Sequence, residues 1–475
     1  MYVPLTILQQ QYSTVKTSLP TQQNINLLQK KNTFTITTGH QLNLFTGPLY
    51  FLYKIISTIN LCKELSVKFP AQNFVPIYWM ATEDHDFEEI NYFNFEGVKI
   101  KWNTHQKGAV GRFSTKGLAA VFEKFASLLG NSKNANKLKK LFRDGYLKHN
   151  NLSDATKYIV NELFADDGLV IIDADNKNLK KNFIPYMKED LLNHISYKSI
   201  SKTIKKLKKK YKIQVNPRKI NLFYLADKLR ERLLFENGVY KVNNTNIKWS
   251  ESEILSKLNN FPEQFSPNVI LRPLYQEVIL PNLCYIGGGG ELAYWLELKD
   301  YFNAANIPFP ILLLRNSLQI ISEKQEKTRK KLTISIEELF LKKNDLIAKK
   351  VSEKSKIKVN FSEQKKELQA QFNQLKEIAK KTDKSFIGAV NAQEKKQLKG
   401  LEKLENRLLR AEKRKYKELV DRITILQNQL FPNQNLEERQ RNFSEYFLKY
   451  GDFFITTLKK QIKPLQLEFL IIEMQ

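Results

Sequence analysis

The chain has 475 residues, of which 42% are hydrophobic and 11% are aromatic, so it is long enough to form two or more folded units. It contains no run of about 18 apolar residues and no basic stretch followed by an apolar one near its start, which argues against a membrane-spanning or secreted protein. The two cysteines, Cys62 and Cys284, are too few for a disulfide framework and lack the spacing of a metal site. These features predict a cytoplasmic protein.

The net charge of +28 has two interpretations. It would suit a polyanionic partner such as nucleic acid, or it reflects AT-rich codons that favour lysine, asparagine, isoleucine and phenylalanine. Lysine greatly outnumbers arginine, whereas bidentate recognition of phosphate favours arginine. We therefore expect no specific binding of nucleic acid. The densest basic segment, Tyr197 to Lys219, is predicted to be a solvated helix face, with attraction of an anionic ligand as the alternative.

Five short apolar segments predict a buried parallel sheet, because each is apolar on both faces and is followed by a helix or a loop. In chain order they are Thr33 to Thr38, Val75 to Thr82, Leu169 to Asp173, Asn282 to Ile286 and Pro310 to Leu314. Amphipathic helices are predicted between them at Pro48 to Leu65, Leu118 to Leu129, Ala155 to Phe164 and Leu292 to Ala305. This alternation indicates an α/β fold with a doubly wound parallel sheet. The long spacing between strands predicts helical insertions near residues 118–164 and 176–267.

The composition changes between Ser322 and about Leu430, where strand signals vanish and lysine, glutamate and glutamine dominate. Apolar residues there recur in two heptad seams on either side of a break at residues 381–385. The first seam contains Phe361, Leu368, Phe372, Leu375 and Ala379. The second runs through Leu401, Leu404, Leu408 and Ala411, then shifts by one residue and continues through Tyr416, Leu419, Ile423, Leu426 and Leu430. Two seams around a short break predict an antiparallel coiled-coil hairpin.

The sequence thus divides into three parts. Residues 1–322 are predicted to form the α/β core with its helical insertions, and residues 323–430 the coiled-coil arm. Residues 431–475 return to a mixed composition and are expected to pack back on the core.

Residues that directly follow the predicted strands are candidates for the functional site, because open parallel sheets bind ligands beyond the carboxyl ends of their strands. After the first strand come Thr38, Gly39, His40 and Gln41, and then Gly47 before a proline that suits a helix start. Backbone N–H groups at a helix start favour an anion. His40 has the chemistry of an acid, a base or a phosphate donor. Turn glycines and a histidine satisfied within the fold are the alternative interpretation.

Four ionisable residues, Glu83, Asp84, His85 and Asp86, follow the second strand. They are costly there unless they face water, a metal or a substrate. They could bind Mg²⁺, recognise an amine or act as a general base. An acidic helix N-terminus is the alternative, and it explains the acidic pair at residues 88–89 better than it explains these four. We predict no resident metal site.

A run of glycines follows the strand at residues 282–286: Gly287, Gly288, Gly289 and Gly290. Such a run lets the backbone approach a phosphate or carboxylate closely, although the lysine of a P-loop is missing. A plain flexible turn is the alternative. Arg272, upstream beside Gln276, and Arg315, after the last strand, could each clamp a carboxylate through two hydrogen bonds. A structural salt bridge is the alternative for both arginines.

Four motifs in this order resemble the signatures of the bacillithiol-synthesis cysteine ligases. They are TGHQLNLFTGPLYFLYK (Thr38 to Lys54), VPIYWMATEDHDFEEIN (Val75 to Asn91), SPNVILRPLYQEVILP (Ser266 to Pro281) and YIGGGGELAYW (Tyr285 to Trp295). The late coiled coil matches as well, so the resemblance covers nearly the whole chain. The chain departs from the family at His40, where glutamine is usual. It also reaches the first motif early, as if an N-terminal helical segment were short or missing.

This resemblance implies a Rossmann-like core related to nucleotidyltransferases, a coiled-coil arm and a homodimer. The implied enzyme joins L-cysteine to glucosaminyl-malate in the last step of bacillithiol synthesis, with ATP, and Mg²⁺ alongside it, activating the carboxylate. Gly39 and the glycines at 287–290 would bind an anionic substrate or phosphates, and His40, Gln41 and Lys54 would stabilise the transferring charge. Asp84, His85 and Asp86 would bind or deprotonate the amine, and Arg272 would hold the malyl carboxylates. The rest of the implied binding set is Thr38, Gly47, Gln276, Glu291 and Arg315.

Two other functions stay open from the residues alone. One is a nucleotidyltransferase that acts on a different small molecule. The other is a non-enzymatic, basic coiled-coil protein that binds nucleic acid or scaffolds a complex. The acidic cluster at residues 83–86 speaks against the second, because it would repel phosphates.

Overall fold

The computed structural model describes residues 5–474, which form two compact units. The first unit runs to Leu318 and also includes Glu438–Leu470, and the second consists of Gln319–Glu437 and the residues from Ile471 onward. The strands are β1 (Thr33–His40), β2 (Asn73–Met80), β3 (Tyr92–Phe95), β4 (Val98–Lys101), β5 (Val170–Asp173), β6 (Leu222–Ala226), β7 (Leu229–Glu236), β8 (Val239–Val242), β9 (Lys248–Trp249), β10 (Phe265–Pro267), β11 (Asn282–Gly287), β12 (Ile311–Leu314), β13 (Leu318–Ser322) and β14 (Leu470–Met474). The helices are α1 (Leu5–Tyr12), α2 (Leu19–Leu27), α3 (Tyr50–Lys68), α4 (Phe87–Ile90), α5 (Leu118–Leu129), α6 (Lys133–Tyr146), α7 (Leu152–Phe164), α8 (Lys177–Lys181), α9 (Ile184–Asn193), α10 (Ile195–Leu207), α11 (Glu251–Asn260), α12 (Leu271–Ile279), α13 (Gly289–Glu297), α14 (Lys299–Ala304), α15 (Glu323–Lys331), α16 (Ile336–Leu339), α17 (Lys343–Lys354), α18 (Ser362–Ala379), α19 (Lys384–Lys415), α20 (Lys417–Leu430), α21 (Phe443–Tyr450) and α22 (Asp452–Gln461).

The central feature of the first unit is a parallel five-stranded sheet with the order β12-β11-β1-β2-β5. The prediction of an α/β core with these five strands is confirmed. The chain first moves from β1 to β2 and β5 on one side, and later adds β11 and β12 on the other side. The strand order therefore reverses between β1 and β11, which is where doubly wound sheets form their ligand crevice.

The two insertions into this sheet differ in structure. The first consists of helices α5, α6 and α7, as predicted. The second begins with α8 to α10 but then forms a separate sheet with the order β10-β6-β7-β8-β9. The prediction of a helical segment was wrong for this half. The longest strand there, Leu229–Glu236, is half exposed along most of its length, so its sequence LRERLLFE lacks the apolar run that marks a buried strand.

The second unit contains the predicted coiled-coil hairpin, formed by α18 and α19. Ion pairs join Lys365 to Glu405 and Lys376 to Glu394. Residue numbers therefore increase along one helix and decrease along the other, which shows that the two helices are antiparallel. Phe372 and Ala379 of the first seam are buried. Leu375 and Leu404, which were predicted seam residues, are instead exposed.

The one-residue shift in the second seam coincides with a break in the helix. Tyr416 has φ −102° and ψ 36°, and it separates α19 from α20. Beyond this break, Ile423, Leu426 and Leu430 pack with residues of β13, of the loop after α15 and of α16 and α17 in a core of the second unit. The change of seam thus marks a change of packing partners.

The segment after the arm was expected to pack on the core. Glu438–Leu470 belongs to the first unit, whereas the residues from Ile471 onward belong to the second. Among the residues that the structure describes, no helix is long and apolar enough to cross a lipid bilayer.

Candidate active site

A cavity of about 660 Å³ opens where β1, β2 and β11 end, at the reversal of strand order. This volume is typical of small-molecule sites. Part of its wall comes from the strand ends, and part comes from the second insertion. The predicted site residues that line it are Gly39, His40, Gln41, Lys54, Asp84, His85, Asp86, Arg272 and Glu291. The structure thus brings together residues that are up to 252 positions apart in the chain, as residues 39 and 291 are.

The end of β1 is held closely against β11. The Thr38 hydroxyl donates to the carbonyl of Ile286 at 2.8 Å. A side chain at Gly39 would begin 3.2 Å from the hydroxyl of Tyr285 and 3.6 Å from Nη1 of Arg272. A glycine at this position therefore lets the strand end approach the floor of the cavity without displacing either group.

His40 lies in the cavity wall as a neutral side chain. Its Nδ1 is 2.9 Å from the carbonyl oxygen of Gln41, which can only accept, so Nδ1 carries the proton and Nε2 is left as an acceptor. Burial, together with the nearby charge of Lys54, lowers the pKa of His40 to about 4. A neutral imidazole cannot stabilise negative charge as a cation would. The geometry instead suits a hydrogen-bond acceptor for a donor such as an amine.

Lys54 and Glu291 form a buried ion pair beside His40. The Lys54 amine donates to the two carboxylate oxygens of Glu291 at 2.8 and 2.9 Å and also to the carbonyl of Gly39. The Tyr285 hydroxyl donates to Glu291 at 2.8 Å. Burial lowers the pKa of Lys54; burial alone would raise the pKa of Glu291, but the charge of Lys54 lowers it. All three N–H groups of Lys54 thus have acceptors within the protein, so Lys54 fixes the position of the Glu291 carboxylate and of the end of β1.

The turn after β2 presents ionised carboxylates to the cavity. Asp84 accepts hydrogen bonds from the Gln41 amide and from the backbone N–H of His85, both at 2.8 Å. Burial alone would raise the pKa of Asp84, but hydrogen bonds from His85 and Gln41 and the charge of Arg230 hold it well below its usual range. Asp86 is exposed next to it. Asp84 is therefore a permanent negative charge in the cavity wall at neutral pH.

The same turn was considered as a Mg²⁺ site. Ligand atoms of Asp84, His85 and Asp86 lie within 4.8 Å of one another. However, the guanidinium of Arg230 is hydrogen-bonded to Nδ1 of His85 and lies 4.0 Å from Asp84. Arg230 therefore supplies a positive charge to this cluster in the fold.

Arg272 is a cation without a carboxylate partner at close range. Its Nη1 donates to the side-chain oxygen of Gln276 at 3.1 Å, and Tyr294 also interacts with the guanidinium, while the buried Nη2 has no partner within hydrogen-bonding geometry among the described residues. The rings of Trp79, Tyr285 and Trp295 lie 5.6 to 5.8 Å from the guanidinium carbon. A buried donor of this kind is costly unless a ligand satisfies it. The arrangement is that of a carboxylate-binding arginine framed by aromatic rings.

In the described part of the chain, eight predicted site residues lie outside the cavity lining: Thr38, Gly47, Gln276, Gly287, Gly288, Gly289, Gly290 and Arg315. Gly47 has φ +63°, and a side chain there would meet Cβ of Asn43 at 2.6 Å, so it serves the turn. The glycine run leads into α13, which places Glu291 in the cavity. Arg315 forms a bidentate ion pair with Glu438 at 2.7 and 3.0 Å. The structure thus gives Arg315 the salt bridge that the sequence left as an alternative.

Sequence reasoning missed three arginines of the second insertion that line the cavity: Arg218, Arg230 and Arg232. Arg218 lies within the basic segment Tyr197 to Lys219, which was predicted to be a solvated helix face, and Arg230 and Arg232 follow that segment. One signal was present in the sequence. Three arginines lie within fifteen residues there, and arginine binds carboxylates bidentately, but Arg407, Arg410 and Arg414 of the arm are spaced more closely, so this signal alone does not mark a site.

Comparison with known proteins agrees with this site. Residues 4–316 match the family model described as bacillithiol biosynthesis BshC, N-terminal Rossmann-like domain, and residues 318–474 match the C-terminal coiled-coil domain of the same family. The chain belongs to the BshC family. A relative in Flavobacterium psychrophilum, named "Putative cysteine ligase BshC", is 60% identical over 98% of this chain and 88% of its own length. Relatives of the same name in Flavobacterium johnsoniae and Cytophaga hutchinsonii are 58% and 38% identical, over 98% and 92% of this chain and 88% and 82% of their own lengths.

Membership of this family makes the chain an enzyme of bacillithiol biosynthesis with a Rossmann-like core and a coiled-coil domain. Three of the four motifs that carried the resemblance supply the strand-end residues of the cavity, and the motif at Ser266 to Pro281 supplies Arg272.

Proposed function

We propose that this BshC family member joins the carboxylate of L-cysteine to the amine of glucosaminyl-malate and so completes bacillithiol. One observation carries the proposal: a single small-molecule cavity holds an ionised, acidic turn at Asp84 and, within the same wall, a buried arginine with a free donor at Arg272. The reaction needs a site for an amine and a site for carboxylates. Opposite charges within one cavity meet both requirements.

The acidic turn is the proposed amine site. Asp84 is negative at neutral pH and attracts a protonated amine, and Asp86 adds a second carboxylate at the opening. The Nε2 of His40 is an acceptor in the same cavity. An amine must lose a proton before it can attack a carbonyl carbon, and an acceptor in the cavity wall can hold the amine with its lone pair directed toward the acyl group.

Arg272 is the proposed site for a substrate carboxylate. Its free Nη2 and the surrounding aromatic rings provide a directed hydrogen bond in a place with little water. Hydrogen bonds to a charged group are about twice as strong as neutral ones. The Lys54–Glu291 pair lies next to this site, and the negative charge of Glu291 stabilises the cationic form of Arg272.

Amide formation from a carboxylate and an amine also requires activation, for which we propose ATP as a co-substrate. The cysteine carboxylate would attack the α-phosphorus and release pyrophosphate, and the sugar amine would then displace AMP from the acyl carbon and lose a proton. We propose that the phosphates lie at the start of α13, beside the cavity that Glu291 of this helix lines, because the space around Gly289 and Gly290 is open and the N–H groups at a helix start favour anions. No step is assigned to Mg²⁺.

A labelled substrate tests both the ligation and the activation. Purified protein is incubated with glucosaminyl-malate, ATP and L-cysteine that carries ¹⁸O in its carboxylate, and the products are analysed by mass spectrometry. The proposal predicts the cysteinyl amide together with AMP that contains one ¹⁸O atom. Label in inorganic phosphate would instead indicate an acyl phosphate, and the absence of amide from protein that binds both substrates would refute the ligation.

A further inference from the structure

Two arginines of the second insertion, Arg218 and Arg232, line the cavity with exposed side chains. Arg232 lies in β7, opposite Phe223 of β6 in the register of the small sheet. Arg218 precedes β6, and its backbone is fixed by the buried Asn221. The Asn221 side chain accepts from the N–H of Arg218 at 3.2 Å and donates to its carbonyl at 2.7 Å. Both guanidinium groups therefore extend from a defined backbone into the cavity.

Neither arginine is paired with a carboxylate in the part of the chain that the structure describes. Arg112 and Arg315 of the same unit are, by contrast, paired with Asp175 and Glu438. Burial and the like charge of Arg232 lower the pKa of Arg218. Two like charges without a counter-charge repel each other, so an anion bound between the two guanidinium groups would lower their electrostatic energy.

The pair is also separate from the deep end of the cavity. Arg272 is surrounded by the rings of Trp79, Tyr285 and Trp295, whereas Arg218 and Arg232 lie in the second insertion, before β6 and in β7. The cavity thus contains two distinct cationic positions, one framed by aromatic rings and one at the insertion wall. Two positions of this kind suit two different anionic groups.

We propose that Arg218 and Arg232 form the subsite for the malyl arm of glucosaminyl-malate. This inference rests on the proposed function. The malyl arm carries two carboxylates, and each guanidinium can bind one carboxylate through two parallel hydrogen bonds. The pair would select for a dicarboxylate arm and leave Arg272 for the carboxylate of cysteine. A triphosphate presents similar chemistry, so the test must separate the two sources of negative charge.

The test is calorimetric titration of the full-length protein with three ligands: glucosaminyl-malate, methyl glucosaminide, which lacks the malyl arm, and ATP. The variants are Arg218→Gln and Arg232→Gln. The control is Lys219→Gln, which removes the same charge from an exposed neighbour of Arg218 that does not line the cavity. Because neither arginine side chain has a partner in the fold, melting temperatures should not fall.

Each arginine variant should raise the Kd for glucosaminyl-malate at least about tenfold. The Kd values for methyl glucosaminide and ATP should stay within about twofold of wild type, and Lys219→Gln should leave all three unchanged. An unchanged Kd for glucosaminyl-malate in both variants would overturn the inference. A rise confined to ATP would also overturn it and assign the pair to phosphates. Arginine-dependent binding of glucosaminyl-malate without cysteine ligation would reject the proposed function but keep this subsite.

Discussion

Asp84 and Glu438 are both carboxylates beside an arginine, but their surroundings differ. The Asp84 side chain is 26% exposed, lies 4.0 Å from Arg230 and lines the cavity. Glu438 is 1% exposed and accepts two hydrogen bonds from Arg315. The first carboxylate is open to a ligand, and the second is enclosed by the fold. At the scale of residues, this difference separates a candidate substrate contact from a structural one.

Glu277 shows how a residue behind the cavity can affect stability. Its Oε1 accepts from the amides of Gln276 and Asn282, both at 2.8 Å, and Gln276 in turn accepts from Arg272. Two threonine hydroxyls donate to the oxygen of Asn282 and so direct its amide nitrogen toward Glu277. Burial raises the pKa of Glu277 to about 8. In the folded protein near neutral pH, Glu277 is therefore mostly protonated.

This gives the first prediction. A carboxyl whose pKa is raised on folding supports the folded state fully below its unfolded pKa, near 4.5, and that contribution is lost as pH rises through about 8. The free energy of unfolding, measured with denaturant, should fall between pH 6 and pH 9 in the wild type. The fall should be smaller by at least about 1 kcal/mol in Glu277→Gln, because glutamine cannot ionise. Equal losses in the two proteins would show that Glu277 is ionised in the fold.

At the scale of elements, the buried pair of Arg315 and Glu438 joins the end of β12 to the chain that returns after the arm. The guanidinium carbon of Arg315 also lies 5.0 Å from the ring centre of Tyr50, which lines the cavity. The pair thus supports the cavity from behind. Its role in the first unit is to hold two distant parts of the chain together.

The second prediction concerns this pair. Glu438→Gln should lower the free energy of unfolding by about 3–5 kcal/mol, because it leaves the charge of Arg315 buried without its partner. The matched control is Glu64→Gln, which breaks an exposed pair with Lys68 and should cost less than about 1 kcal/mol. Similar small losses in both variants, measured by denaturant unfolding, would contradict the structural role of Arg315.

The hairpin of α18 and α19 leaves apolar side chains uncovered near its turn. Ile378 is 60% exposed and Phe386 is 48% exposed. Such residues are unusual on a solvated hairpin and suit contact with a second copy of the chain. We therefore propose that this end of the hairpin contributes to a homodimer.

As a third prediction, the double variant Ile378→Glu and Phe386→Glu should behave as a monomer in light scattering at a concentration where wild type is a dimer. The control is Lys381→Glu, which introduces an acid in the turn without removing an apolar contact, and it should stay dimeric. A double variant that keeps the wild-type mass would place the dimer contact elsewhere or remove it altogether.

The elements also show where sequence reasoning works and where it ends. The five strands of the central sheet are buried on both faces, so each appears as a short apolar run, and the hairpin appears as heptads. The strand Leu229–Glu236 is half exposed and rich in charge, and its pairing depends on neighbours that its own residues do not reveal. The strand-end rule found Gly39, His40 and Asp84. It could not find Arg218 and Arg232, because they reach the cavity from an insertion.

At the scale of the whole molecule, the chain has a net charge of +28, whereas the cavity carries charged side chains of both signs. The cavity combines cationic arginines with the carboxylates Asp84, Asp86 and Glu291, which is the pattern of a site for small zwitterionic and anionic molecules. A surface for nucleic acid would exclude such carboxylates. We therefore regard the excess of lysine as a property of the surface and propose that the protein acts on small molecules in the cytoplasm.

The thiol content of living cells tests this account most directly. The gene for the relative is deleted in Flavobacterium johnsoniae, and this chain or its Asp84→Asn variant is expressed in its place. The account predicts that the deletion abolishes bacillithiol and accumulates glucosaminyl-malate, and that the wild-type chain reverses both changes. The Asp84→Asn variant should restore neither, although it should accumulate to the same level in the cells. Bacillithiol that persists in the deletion strain, or a wild-type chain that leaves glucosaminyl-malate accumulated, would contradict the assignment of cysteine ligation to this protein.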